Sequence, residues 1–378
     1  MADNYKNHLH ILFGQDHYNP LGVVRSLGED GISPVVILIS ESKPHLVNKS
    51  RYIGKLHWVK SIEEGYEVLL SNYGNEPLKP FIYTCSDDTE SFLDLHYNEL
   101  IEHFYFFNAG EQGRITKIME KEEMIKMAVE SGIEIPRTEV VKVGELPKTL
   151  RYPILTKAVI STMANWKSNV HICQNEAELL EAYKTIKGDS IILQEYITKK
   201  NELCLDGVSV NGGEEVYLPI QSEYIRFTPS AYGNYIFFQK YKEMNLLPKI
   251  QTIFKKTGFS GVFSMEFLRD KDDNFYFLEI NFRNSTWSYA HTHVGVNLPV
   301  IWAKSTLAGH LDVSDVKITK ETFTAIQEFT DFKDSVLGGA VSVKQWIKDF
   351  RNCDCPFYYN KQDCAPFWSI LRKKILRF

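Results

Sequence analysis

Four side chains in the second half of the chain have the types and spacing to gather a divalent cation and a phosphoryl group. Glu279 and Asn281 stand two apart in the apolar run Phe275-Tyr276-Phe277-Leu278-Glu279-Ile280-Asn281. Such a run reads as a strand, and alternation then points both side chains to one face. Arg283 continues that face. Glu266 is the acid of an earlier apolar run, 262–267, and the polar stretch 269–274 reads as the turn of a hairpin joining the two. Two carboxylates and an amide oxygen make a hard, all-oxygen site suited to Mg²⁺ and to the phosphates it carries. A guanidinium beyond them meets a phosphoryl group with a planar, permanently charged fork. The alternative is an edge hairpin with solvated acids. Burying an unpaired carboxylate among Phe, Tyr, Leu and Ile is costly, which favours a cation partner for Glu279.

The elements that must position these groups can be read in order. Residues 8–15 form a first strand, a helix follows over 21–30, and a second strand covers 35–40, a βαβ start. Gly14 and Gly22 do not make the G-x-G-x-x-G fingerprint, so no NAD site is expected. Residues 81–85 read as another buried strand, followed by Asp87-Asp88-Thr89-Glu90. That stretch is either a ligand position at a strand's carboxyl end or a helix N-terminus with acids in its first turn. One helix is expected over 116–131, ended by Gly132, then strands over 138–143, 152–157 and 190–197. A hairpin of 207–210 and 215–221 is expected around Asn211-Gly212-Gly213, and the stretches 223–226 and 230–238 follow it.

Composition sets outer bounds. With 378 residues the chain can hold two or three domains, and a net charge of −5 gives no basic field, so nucleic acid is not expected as a partner. The first residues lack the pattern of a signal peptide, and no apolar run is long enough for a membrane helix. Six cysteines then read as reduced thiols of a cytoplasmic protein. Cys353, Cys355 and Cys364 are a weak candidate for a soft-metal cluster, matching no zinc template. The basic, apolar end 367–378 either lies on an anionic membrane surface, at the inner face of the membrane, or packs on the core.

The Glu … Glu-x-Asn-x-Arg arrangement, with thirteen positions between the two glutamates (279 − 266), resembles the magnesium-binding end of the ATP-grasp superfamily. The resemblance covers about residues 5–310. It implies a mixed α/β and α+β chain, with a Rossmann-like pre-ATP-grasp domain (1–115), a two-subdomain ATP-grasp domain (116–310, hinge near 194–202) and a C-terminal extension (311–378). It also implies a carbon–nitrogen ligase that uses ATP and Mg²⁺ (or Mn²⁺) to activate a carboxylate as an acyl phosphate, which an amine captures. The finer match is to D-aspartate ligase-type carboxylate–amine ligases. It rests on Leu12-Phe13-Gly14-Gln15-Asp16 with Arg25-Ser26-Leu27, on residues 230–235 and on Gly258-Phe259-Ser260-Gly261. An amino acid such as D-aspartate, added to a cell-wall or surface-glycan precursor, is the activity this implies.

Site residues follow from the same resemblance. Glu266, Glu279 and Asn281 would hold the metal, and Arg283 would act on the transferring phosphoryl group. Lys121, in Glu120-Lys121 where relatives have Asp-Lys, and Lys157 would bind phosphates. Ser161 and Ser168 stand in the phosphate loop, which contains no glycine here. Gln194, Glu195, Tyr196 and Ile197 would border adenine, and Glu202 the ribose. Arg226, Asn284, Ser285 and His291 would line the pocket of the second substrate. Mg²⁺·ATP is expected between the lysine-bearing and the carboxylate-bearing halves. The partners expected are small-molecule carboxylates and amines, with the oligomeric state open between monomer and homodimer. Competing readings are a nucleotide-binding regulator without turnover, and a ligase for a different small metabolite.

Overall fold

The computed structural model describes residues 4–158, 170–186, 188–227 and 233–375. The chain divides into two compact units: 1–116 with 204–265 and 280–378, and 117–203 with 266–279. Ser161 and Ser168, and residues 230–232 of the stretch 230–235, lie outside the described residues.

The first unit opens with a parallel sheet of β1 (His10–Gln15), β2 (Val35–Ile39), β3 (Lys55–Val59) and β4 (Phe81–Thr84), in the order β3-β2-β1-β4. The apolar runs of β1, β2 and β4 suit strands covered on both faces, and Ile11, Phe13, Ile37, Phe81 and Ile82 are fully buried, while β3 is largely exposed at the sheet edge. The helix after β1 spans Tyr18–Glu29, three residues earlier than the expected start. Its cap is His17, whose ring accepts from the Asn19 N–H, a role that the usual Ser, Thr, Asp or Asn signal does not reveal. The helix expected over 116–131 is two helices, Arg114–Ile118 and Lys121–Glu130. Thr116 is held by Asp94, which accepts from both its N–H and its hydroxyl at 2.8 Å, and Glu120 takes extended backbone (φ −63°, ψ 128°). Lys121 is therefore the first residue of a helix.

The second unit carries an antiparallel sheet of β5 (Thr138–Lys142), β6 (Ile154–Ala158), β7 (Ile172–Cys173) and β8 (Ser190–Glu195), ordered β5-β8-β6-β7. Ile154, Leu179, Ile191 and Leu193 form its core with the helix Glu176–Tyr183.

A third sheet is built from β9 (Asn201–Val210), β10 (Glu215–Arg226), β11 (Tyr235–Lys240), β12 (Gly261–Arg269), β13 (Phe275–Asn281), β14 (Thr322–Ile326) and β15 (Cys355–Pro356). Its order is β13-β12-β9-β10-β11-β14-β15, so β12 and β13 are neighbours as a hairpin requires. β9 and β10 are longer than their sequence suggests. The piece at 223–226 is the end of β10, whose buried Gln221 bonds Glu243 and whose Ser222 bonds the Cys204 carbonyl. Partners on both sides keep these polar positions in a strand. In the tight turn between the two strands Gly213 has φ +85°, and an added Cβ would meet the Phe254 carbonyl oxygen at 2.0 Å.

Two features of the first unit tie distant segments together. Trp302, in the helix Leu298–Ala308, meets Phe81, Tyr83 and Phe107 edge-on at 5.5, 5.3 and 4.6 Å. Arg25, fully buried in the first helix, donates to the Asp363 carboxylate at 3.0 Å and to the carbonyls of Phe357 (2.6 Å), Tyr358 (3.0 Å) and Asp363 (2.9 Å). The last helix, Ala365–Ile375, then stacks Phe367 on Phe329 at 5.6 Å and buries Ile370. Phe367 and Ile370 of this end thus pack inward, Trp368 is exposed, and residues 376–378 lie outside the described residues. Cys355 is buried in β15, and among the described residues no group of three His, Cys, Asp or Glu could hold a metal ion. No helix among them is long and apolar enough to cross a membrane.

Removing the buried Arg25 guanidinium takes the counter-charge from the Asp363 carboxylate and a donor from three carbonyls, at a cost of about 3–5 kcal/mol. Arg25→Ala should therefore reduce the unfolding free energy by that amount, lowering the denaturation midpoint, and open the chain beyond residue 356 to limited proteolysis. An unchanged midpoint and digestion pattern would show that the clamp holds nothing.

Candidate active site

The second unit presents a cation that burial makes uncomfortable. Lys157 lies near the end of β6, and its Nζ donates to the Gln194 side-chain oxygen at 2.7 Å. Gln194 in turn donates to the Thr138 hydroxyl at 3.1 Å, which orients the amide with its oxygen toward the lysine. Burial pushes the Lys157 ammonium down to about 8, the charge of Lys121 adds to the effect, and Glu279 opposes it. Two cations and one carboxylate thus act on one another, and the balance improves with an added anion. A triphosphate fits that requirement.

The residues expected around adenine and ribose follow from β8. The Glu195 N–H donates to the Arg137 carbonyl, and the Tyr196 N–H to that of Pro153. Arg137 grips the Glu195 carboxylate with Nε and Nη2 at 2.9 and 3.1 Å, which holds it below the usual carboxylate range. Ile197 lies in the connection to β9. Glu202, at the start of β9, is buried and accepts from Lys199 at 2.8 Å, while its Oε2 has no partner among the described residues.

Glu266 sits on β12, and Glu279 and Asn281 on β13, two apart on one face of the strand. Glu266 and Glu279 are half-buried and Asn281 is buried. Carboxylate and amide oxygens are the donor types that suit Mg²⁺ or Mn²⁺. Just past β13, Arg283 donates to the Asn281 side-chain oxygen at 2.9 Å. Its Nε and Nη2 face Asp87 at 2.7 and 3.3 Å. Asp87 opens the helix Asp87–Leu95, which Ser86 caps. The stretch 87–90 is a helix N-terminus with acids in its first turn, and Asp87 there accepts from Arg283.

Arg283 forms part of a pocket of about 230 Å³ together with His17, Asn19, Asp87, Asp88 and Thr286. It opens where β1 and β4 end. The chain leaves β1 toward β2 on one side while β4 lies on the other, and ligands collect at such a switch point. Asn284 fastens the Arg283 loop there: its N–H and its amide both donate to the Thr84 carbonyl, at 3.2 and 3.0 Å. Asn19 donates to the Asn284 carbonyl at 2.9 Å. Sequence reasoning missed His17 and Asn19; their place directly after β1, matching Asp87 after β4, is the signal that pointed to them.

The other expected substrate contacts are engaged elsewhere. Arg226 donates to Asp331 at 3.0 Å through Nε, again to Asp331 through Nη2, and to Asp349 at 2.6 Å through Nη1. Ser285 accepts from the Trp287 N–H at 3.1 Å. His291 is buried, 3.7 Å from Asp206, and burial lowers its proton affinity. None of the three lines the Arg283 pocket.

No family model matches the chain. It is 26% identical over 115 residues to an N5-carboxyaminoimidazole ribonucleotide synthase of Staphylococcus epidermidis, 29% of each chain. It is 24% identical over 245 residues to a 2-oxoglutarate carboxylase small subunit of Hydrogenobacter thermophilus, 59% of this chain and 47% of that one. The chain thus spans between under a third and about half the length of these curated relatives. Among solved structures, an L-amino acid ligase of Bacillus licheniformis superposes with a TM-score of 0.62 at 14% identity, over 84% of this chain and 79% of that one. N5-carboxyaminoimidazole synthetase of Staphylococcus aureus gives 0.64 at 14% identity, over 89% and 87%. Biotin carboxylase of Campylobacter jejuni gives 0.64 at 16%, over 85% and 76%. The chain has the ATP-grasp fold.

If Lys157 is kept to meet an anion, it is not kept for stability. Lys157→Met should leave the melting temperature unchanged or raised, while abolishing the upward shift given by Mg²⁺·ATP in thermal denaturation. A fall of more than about 4 °C without nucleotide would assign the lysine a structural role instead.

Proposed function

We propose that the protein is an ATP-dependent carboxylate–amine ligase, which activates an acid as an acyl phosphate and transfers the acyl group to an amine. The observation that carries this reading is the setting of Arg283, a guanidinium tied to Asn281 on the strand that bears Glu279 and forming the wall of a pocket. A regulator that only binds nucleotide has no need of a cation fixed beside a substrate-sized cavity.

In the proposed reaction a carboxylate oxygen attacks the γ-phosphorus, and the bond to the β,γ-bridging oxygen breaks, so that ADP leaves with the bonding pair. The amine nitrogen then attacks the acyl carbon, the carbon–oxygen bond to phosphate breaks, and inorganic phosphate and a proton depart. Lys121 and Lys157 bind the phosphates, and Arg283 offsets charge on the transferring group. Glu266, Glu279 and Asn281 would hold Mg²⁺ or Mn²⁺, which supplies charge neutralisation when bound. The backbone of 194–197 would pair with the adenine edge and Glu202 with the ribose, and Ser161 and Ser168 would add phosphate contacts. No side-chain nucleophile is required.

Within this class, the finer reading is that an amino acid such as D-aspartate is joined to a cell-wall or surface-glycan precursor. It is supported by the resemblance carried by residues 12–16 and 25–27 and by the L-amino acid ligase with the same fold.

ADP release measured over a panel of carboxylates and amines, including D- and L-amino acids, tests the proposal. At least one pair should give substrate-dependent turnover. Glu279→Gln and Arg283→Ala should then each reduce it by about 10²–10³-fold or more, with the melting temperature retained. Undiminished ADP formation in both variants rejects the ligase reading.

A further inference from the structure

The segment 332–378 carries nine lysines and arginines against four aspartates, a net +5 in a chain whose total is −5. Three of those four acids are already matched by cations from outside the segment: Asp349 by Arg226, Asp354 by Lys320 and Asp363 by Arg25. The basic side chains of the segment are thus left with almost no acids of its own to balance them. Lys344, Lys348 and Arg351 are exposed, and none of the three makes an ion pair among the described residues.

All three stand on the helix Val343–Asn352, which Ser342 caps. Its aromatic side is turned inward. Trp346 meets the Phe332 ring edge-on at 5.1 Å, stacks on Phe350 at 5.3 Å and donates to Asp331 at 2.8 Å. Asp349, bonded to Arg226, lies on that same side. At about 100° per residue, Val343, Ile347, Arg351, Lys344 and Lys348 then share an arc of about 140° facing outward. Val343 is 52% exposed and Ile347 41%, and Leu337, shortly before the helix, is 71% exposed.

An outward face that mixes exposed aliphatics with unmatched cations suits a helix lying in a lipid–water boundary. Lysine and arginine stems cover apolar surface there, while their heads reach the headgroup phosphates. Other occupants fit less well. Pairing with the same face of a second copy would set cation against cation. A protein groove takes helix anchors at i, i+3 or i+4, and i+7. Here the row Val343, Ile347 ends at Arg351, and Phe350 is turned inward. Single-stranded nucleic acid is held by stacking on aromatic rings, and this helix keeps both of its rings on the inner side.

We propose that this face docks the protein on an anionic lipid surface, with Val343 and Ile347 entering the headgroup boundary and Lys344, Lys348 and Arg351 meeting lipid phosphates. The last helix, for which such a contact was one of two expectations, turns Phe367 and Ile370 inward, so the contact belongs to the earlier helix. The inference goes beyond the ligase reading and does not depend on it.

Co-sedimentation of the full chain with vesicles tests this. Vesicles of phosphatidylcholine alone are compared with vesicles holding about 30% phosphatidylglycerol, at about 0.05 M and about 0.5 M salt. Binding to the anionic vesicles should be at least about tenfold stronger and should fall with salt. The triple variant Lys344→Gln, Lys348→Gln, Arg351→Gln should weaken it by about a hundredfold, at about fivefold for each charge. The double variant Val343→Ser, Ile347→Ser should weaken it by about tenfold. Both variants change exposed positions, so the melting temperature and its shift by Mg²⁺·ATP should be retained. Absence of vesicle binding, equal binding to both lipid compositions, or anionic binding that either variant leaves unchanged overturns the proposal. Loss of binding in Trp368→Ser, Arg372→Gln with the other two variants unaffected moves the contact to the last helix and overturns it as well. So does an oligonucleotide that binds as tightly as the anionic vesicles and is indifferent to the Val343→Ser, Ile347→Ser change.

Discussion

The placement of Arg283 is the constraint on which the pocket of the first unit depends. A guanidinium has five donors in a fixed plane, and here they are met by Asn281 at the end of β13 and by Asp87 at the head of a helix. The loop that carries it is stitched to the parallel sheet by Asn284 and Asn19, whose bonds all end on backbone carbonyls or on each other's chain segment. Such bonds are directional, so the loop has one position against β1 and β4. The pocket is the space left between those strand ends and the fastened loop.

The C-terminal segment belongs to the same construction. Arg25 reaches from the first helix to residues 357–363, and the Asp363 carboxylate accepts in addition from Ser50 at 2.9 Å and from the Arg51 N–H at 2.9 Å. Buried charges of this kind are costly to desolvate and add little net stability over apolar packing. What they confer is geometry, because a fully bonded Arg–Asp pair tolerates no sliding. Arg226 does the same between β10 and the helices at 328–331 and 343–352, through Asp331 and Asp349. Residues beyond 311 are thus pinned at two points by arginines that sit far earlier in the chain.

The second unit shows the opposite economy. Lys157 is desolvated beside another cation with a neutral amide as its hydrogen-bond partner, which is unfavourable in isolation. Structures retain such groups where a ligand relieves them, and this one stands at a strand end in a small antiparallel sheet whose core is otherwise apolar.

Much of the fold was legible in local pattern. Apolar runs marked β1, β2, β4 and β13, and the two-residue spacing put Glu279 and Asn281 on one face, because strand alternation is a local property. The break at Glu120 and the length of β10 were not legible, since each is set by partners remote in sequence: Asp94 for Thr116, and the strands on either side for Gln221 and Ser222. The His17 cap was not legible because histidine is not among the usual capping residues. The family resemblance named Arg226 and His291 as substrate contacts and Arg283 for the transferring phosphoryl group. What separates them is which carboxylate lies within reach, Asp331 and Asp349 for one, Asp206 for another and Asp87 at the pocket for the third. Chemistry of the side chains is written in the order of residues. Their pairing is decided only when segments hundreds of residues apart are brought to within a hydrogen bond.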